Sequence, residues 1–178
     1  MPLGDRFAMT LAAARGGDEA AWARLYRDLA PALLGYLRAR RAALPEDLLG
    51  EVFVHMVTSL DSFQGEEHDF RAWAFTITRN RLVDSRRRSA RRVLEVPVDP
   101  EPAVEAGDVE TEAINRLGAQ EIRELIARLS PDQQDVLLLR ILGGLTLPEI
   151  AVALGKRLGA VKALQRRGLA RLKKEISS

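Results

Sequence analysis

Apolar positions recur along this chain at spacings of three and four, and no period-two alternation of the kind a strand needs is present. The pattern predicts an all-helical protein. After Gly16-Gly17, residues 18–41 read as helix, with Ala21, Trp22, Leu25, Tyr26, Leu29, Leu33 and Leu34 on one face. Pro31 falls inside that stretch and predicts a kink or a break into two helices. A second helix starts near Pro45, whose fixed φ and missing N–H suit a first turn, and Leu48, Leu49, Val52, Phe53, Met56, Val57 and Leu60 form its apolar stripe. A polar loop over 61–69 separates it from a third helix over about 70–88, anchored by Trp73, Phe75, Ile77 and Leu82.

The pattern then stops. Residues 93–113 hold seven acidic residues and no basic one, with Pro97, Pro100, Pro102 and Gly107 interspersed. Such a segment buries too little apolar surface to offset the cost of ordering and reads as a flexible linker. The chain therefore divides into 1–92, an acidic Pro-rich linker at 93–111, and 112–178, with two small cores expected instead of one large one.

Helices resume at about 112–129. Ser130-Pro131-Asp132 marks a new start, with Ser130 as N-cap and Pro131 at the first helical position, and Gly143-Gly144 mark its end. Thr146-Leu147-Pro148-Glu149 has the form of a capping box, in which the Thr146 hydroxyl accepts from the Glu149 amide while Glu149 reaches back. A short helix runs to Leu154, Gly155 supplies a tight turn, and a basic helix spans 158–176. Ile150, Ala151 and Leu154 on the first of these, with Val161, Leu164 and Leu172 on the second, complete a helix-turn-helix.

Charge sharpens the picture. The formal net charge is only +2, yet the sequence pI is about 9.3 and the two signs are segregated along the chain. Residues 156–174 carry eight basic residues and no acidic one, among them Lys156, Arg157, Lys162, Arg166, Arg167 and Arg171. Cations on a helix that follows a capped short helix and a turn are placed to neutralise phosphates and to grip guanine edges in a major groove. A second cationic stretch, 71–92, includes Arg71, Arg79, Arg86 and Arg87 against Asp84 alone, with Phe70, Trp73 and Phe75 interleaved. Arginines that track a backbone together with aromatics that stack bases suit a single strand, whereas Trp73 and Phe75 equally suit a core. Asp47 and Glu51 lie one turn apart on the polar side of the second helix.

Other chemistry is excluded. There are no cysteines and two histidines, which removes disulfides, zinc ribbons and thiol nucleophiles. Glu51 and His55 share a helix, but a helical di-iron site needs Glu-x-x-His, repeated, with further glutamates. No phosphate-cradling glycine loop is present, so an enzyme is not expected, nor a cofactor or metal. With no signal-like N-terminus and no apolar run near the ~20 residues a bilayer requires, a soluble, cytoplasmic protein without membrane insertion is expected. A stand-alone helix-turn-helix regulator is the alternative; such proteins dimerise to read two half-sites, and no spare dimer helix or obligate homo-oligomer is evident here.

The residues also resemble a known family. Glu46-Asp47-Leu48-Leu49-Gly50-Glu51-Val52-Phe53, then Phe70-Arg71-Ala72-Trp73, Arg79-Asn80 and Asp84, are similar to the second conserved region of extracytoplasmic-function (ECF) sigma factors. Residues 130–140, 145–154 and Gly159-Ala160-Val161-Lys162 resemble their fourth region. The resemblance implies a bacterial initiation factor that binds core RNA polymerase through the beta-prime clamp helices and the beta flap, with Asp47 and Glu51 as polymerase contacts. It implies that the 62–68 loop and the third helix melt and read a minus-ten element, with Arg71, Trp73, Arg79, Asn80, Arg86 and Arg87 as candidates and Asn80 as base reader. The last helix would read a minus-thirty-five element, the linker would thread polymerase channels, and an anti-sigma factor would silence the protein. Two departures stand out: Arg157 where the family often has Ser or Thr, and Gly50 where it often has Gln.

Overall fold

The computed structural model describes residues 3–95 and 124–176, with the backbone alone for 92–95. Most of the expected linker and most of the helix expected at 112–129 lie outside the described residues. What is described is helical, with no strand among the described residues. A 3-10 turn at Gly4–Arg6 leads into α1 (Phe7–Arg15), followed by α2 (Glu19–Ala39), α3 (Pro45–Ser59), a second 3-10 turn at Leu60–Ser62 and α4 (Glu67–Glu95). A helical turn at 124–127 precedes α5 (Pro131–Ile141), α6 (Leu147–Leu154) and α7 (Leu158–Ile176).

Local chemistry accounts for most boundaries. The Asp18 carboxylate accepts from the amides of Ala20 and Ala21 at 2.7 and 3.1 Å, capping α2 from an extended backbone. α2 then runs unbroken through Pro31, against the expected kink or break. Pro31 is exposed, while Leu25, Leu29, Leu33, Tyr36 and Leu37 are buried on the opposite stripe, so packing outweighs the lost hydrogen bond. α4 starts three residues earlier than the apolar pattern predicts and continues to Glu95. α1 was not anticipated: Phe7, Leu11 and Ala14 are buried, and the Phe7 ring sits 5.5 Å from that of Phe70.

In the second half both expected caps form. Ser130 and Gln133 make a reciprocal capping box at α5, and Thr146 and Glu149 make one at α6. α5 ends at Ile141, short of the two glycines, and Gly144 takes φ 68° in the turn beyond. Gly155 takes φ 61°, the left-handed turn between α6 and α7. Val161 and Gly168 of α7 are buried, and a Cβ on Gly168 would come within 3.1 Å of Leu137 Cδ1 of α5.

The two helical halves also pack against each other. α5 lies against α2 and α6 against α4, and the buried side chains of both halves form one contiguous cluster. Tyr36 meets Phe75 edge-on at 5.9 Å, and a Cβ on Gly143 would fall 3.1 Å from Phe75 and 2.6 Å from the Leu139 carbonyl. Apolar faces that sequence patterning assigned to separate cores are adjacent, so each covers the other.

Candidate nucleic-acid interface

α7 carries its chemistry on one side. Val161 and Gly168 turn inward, and Leu164 and Leu172 are half-buried. Arg157, Lys162, Arg166, Arg167 and Arg171 are exposed on the remaining surface. Lys156 is half-buried, with its Nζ 2.9 Å from Asp132 at the start of α5, which ties the turn to the neighbouring helix. The Gly155 turn sets α6 and α7 in helix-turn-helix order, leaving five of the six predicted cations open to a phosphate backbone.

The six candidates on α4 do not form one open surface. Asn80, Arg86 and Arg87 are exposed, with Arg87 4.0 Å from Asp84. Trp73 is half-buried in an aromatic group, 5.2 Å from Phe63 and 5.5 Å from Phe70 between ring centroids. Phe75 is fully buried and belongs to the core. Arg71, Arg79 and Arg86 are engaged within the chain. Arg71 Nη1 pairs with Asp28 at 2.7 Å and its Nε donates to the Gly143 carbonyl at 3.5 Å. Arg79 Nε lies 3.2 Å from Asp135 Oδ2, and Arg86 donates to the backbone carbonyl of Arg40.

Sequence reading missed the group that Arg79 joins. Asp135 of α5 is buried; its Oδ1 accepts from the Tyr36 hydroxyl at 2.8 Å and lies 2.9 Å from Arg40 Nε. Arg40, also buried, donates through Nη1 to Gln134 Oε1. Burial, reinforced by the Asp135 carboxylate, pushes the Tyr36 phenol well above its ordinary range. The one signal available beforehand was an acid set directly before the apolar run Val136-Leu137-Leu138-Leu139, and it named no partner.

On α3, Asp47 and Glu51 are both exposed, and Glu51 Oε2 lies 3.4 Å from Arg88 of α4. Beside them Glu46 pairs with Arg38 at 2.6 Å, and that hydrogen bond holds the Glu46 carboxyl below the usual range. His55 Nδ1 lies 3.0 Å from Arg81 Nη2; a guanidinium only donates, so this nitrogen accepts from it and is not offered to a metal. An open groove of about 560 Å³ runs between α2 and α3, floored by Ala30, Leu34 and Leu49 and edged by Tyr26, Arg27 and Arg38.

Residues 25–92 match the family model for sigma-70 region 2, and residues 119–172 match that for sigma-70 region 4. The chain is 33% identical over 162 residues to the ECF RNA polymerase sigma factor BldN of Streptomyces coelicolor, covering 88% of this chain and 60% of BldN. It is 31% identical over 180 residues to the ECF sigma factor SigD of Mycobacterium tuberculosis, covering 97% of this chain and 85% of SigD. Among solved structures, CnrH in complex with the cytosolic domain of CnrY superposes with a TM-score of 0.71 at 22% identity, over 97% of this chain and 98% of that one. Bartonella quintana RpoE bound to the anti-sigma factor NepR superposes with a TM-score of 0.68 at 22% identity, over 88% of this chain and 96% of that one, and both likenesses concern the fold. Two region models in order and relatives matched over most of their length place the chain in the ECF sigma factors, which act with core RNA polymerase to start transcription at promoters.

Proposed function

We propose that the two halves divide promoter recognition between α7 and α4, with α3 turned to the polymerase. The observation that carries this reading is the sidedness of α7: Val161 and Gly168 buried, Arg157, Lys162, Arg166, Arg167 and Arg171 exposed. That helix enters the minus-thirty-five major groove, its arginines serving phosphates and guanine edges, with Lys156 completing the set at the turn. Asn80, whose amide both donates and accepts, reads a base extruded from the minus-ten duplex. Arg71, Arg79, Arg86 and Arg87 follow the melted strand, and Trp73 presents the partly exposed edge of its aromatic group for stacking.

Core polymerase docks on the α2–α3 side. The groove between these helices supplies an apolar centre, and Asp47 and Glu51 supply an acidic rim on the same helix as Leu49. The resemblance assigns this contact to the beta-prime clamp helices and a second one to the beta flap. The similar structures CnrH and Bartonella RpoE were solved with CnrY and with an anti-sigma factor, which supports a comparable inhibitor here. The protein acts in the cytoplasm as a binding factor without catalysis of its own; among the described residues no helix is long and apolar enough to cross a membrane.

Arg166→Ala or Arg167→Ala is expected to weaken binding to upstream duplex by about 1–3 kcal/mol while leaving affinity for core polymerase intact. Asp47→Lys is expected to do the reverse. In vitro transcription, with core affinity measured in parallel, checks both. Damage to the same step by both changes would overturn the division of labour.

A further inference from the structure

We propose that Asp135 is a latch: it holds the free chain closed by occupying, in place of a DNA phosphate, the guanidinium that the melted strand requires. The proposal rests on the reading of Arg79 as a minus-ten residue.

Every charged or hydroxyl partner of Asp135 comes from the other half of the chain. Tyr36 and Arg40 belong to the end of α2, and Arg79 to the middle of α4. Gln134, the preceding residue of α5, adds a second hold on Arg40 while its own Nε2 donates to the Leu129 carbonyl at 2.9 Å. Around this group Arg71 reaches the Gly143 carbonyl, and Arg86 binds the Arg40 carbonyl. Between the halves the closed arrangement therefore engages Arg79, with Arg71 in longer contact, while Arg86 stays exposed and bonds within its own half, and α7's outer cations stay exposed.

The chemistry favours a latch over permanent glue. Two guanidiniums, the buried one of Arg40 and the partly exposed one of Arg79, share one buried carboxylate, and the Arg40 Nε–H, although at ion-pair distance, makes no hydrogen bond. Desolvation of such a group consumes most of its Coulomb attraction, so the contact specifies one arrangement without adding much net stability. Opening returns all three charges to water. A phosphate carries the sign of Asp135 and makes the same charge-assisted contact, so strand and carboxylate compete for one guanidinium. Two conformers follow, and a ligand of Arg79 selects the open one.

The chain lacks cysteine, so thiols introduced in pairs are unambiguous. A Cβ at Gly35 would lie 3.6 Å from Leu142 Cδ1, across the two halves. The full-length G35C/L142C protein, joined by a short bis-methanethiosulfonate linker that reductant cleaves, is expected to bind upstream duplex normally. It should form no open complex with core polymerase until reduced. Asp135→Asn, with helicity checked by circular dichroism, is expected to show a larger radius of gyration in X-ray scattering than the parent. Its open-complex yield at limiting factor should rise by about tenfold, the scale on which a minor conformer becomes a major one. Tyr36→Phe, which removes one hydrogen bond and no charge, gives a smaller expansion if Asp135→Asn proves insoluble.

A linked chain that opens promoters as well as the parent, or an Asp135→Asn protein that scatters identically to it, overturns the latch. Arg79→Gln separates the two readings. If it expands the chain and leaves minus-ten melting intact, Arg79 is not a strand contact: Asp135 then joins the halves without competing with DNA, and the latch as proposed falls with that reading. If it abolishes melting while Asp135→Asn leaves the chain compact, the strand contact stands and the latch falls.

Discussion

A methyl group has opposite consequences at two glycines of this chain. Gly50 is exposed in the middle of α3 and an added Cβ meets nothing within 4 Å. Gly50→Ala is expected to stabilise the protein by about 1 kcal/mol through helix propensity alone. Gly143 is packed so that a Cβ would fall 2.5 Å from Leu145 Cδ1 and 2.6 Å from the Leu139 carbonyl, and backbone cannot step aside as a side chain does. Gly143→Ala is expected to cost about 1–3 kcal/mol. Urea unfolding of the two variants, read as midpoints at constant slope, checks both signs. Tyr36 gives a third test. Its folded-state pKa is raised, so its contribution is intact below the unfolded phenol's pKa and is lost as pH rises past about 10. Asp135, Arg40 and Arg79 face the hydroxyl, and lysines titrate in the same window, so the comparison is with Tyr36→Phe. The parent should lose more stability than the variant between pH 9 and about 11, measured by denaturant titration at each pH. Caps at Ser130 and Thr146 and the turn at Gly155 were legible in the sequence because their partners lie within a turn. Asp135 was not, because Tyr36 lies 99 residues away and Arg79 lies 56 away.

At the level of elements, amphipathic periodicity located α2, α3, α5, α6 and α7, and missed where packing overrides local preference. α1 shows Phe7, Leu11 and Ala14 at helical spacing, but nine residues with few large side chains give a weak signal. Its place is fixed from outside, through Phe70 and through the amides of Leu3 and Gly4, which donate to the Glu67 carboxylate at 2.5 and 2.8 Å. Pro31 is the reverse case, a strong local signal that lost. Since the proline is exposed and its neighbours hold the helix, Pro31→Ala removes a penalty and disturbs no core contact. It is expected to raise stability by up to about 3 kcal/mol, seen as a higher melting temperature. The candidate site divides in the same way. α7's open face was legible as a charge pattern on a helix whose inner positions were already known, whereas the pattern on α4 could not say which arginines were engaged inside the chain.

For the whole molecule, the decisive fact is that the apolar faces of the two halves meet in one cluster. Composition predicted two bodies and a tether, which is sound for chain segments considered apart; the contact between α4 and α6 requires knowing where each points. A shared core couples the halves in unfolding. The full chain should melt in a single calorimetric transition whose van't Hoff and calorimetric enthalpies agree. Asp135→Asn should separate it into two, and a single unchanged transition in that variant would count against coupling through this group.

The sharing of counter-charge between α5 and the α2–α4 pair also limits how freely halves of this molecule are exchanged. A chimera that kept residues 1–95 and took its remainder from a relative with an uncharged residue in place of Asp135 would leave Arg40 to be buried without compensation. Such a hybrid would hold its two halves apart from the start and engage promoters without restraint. Modularity in this protein is therefore conditional: the portion that reads upstream DNA also carries the ion that keeps the other portion quiet.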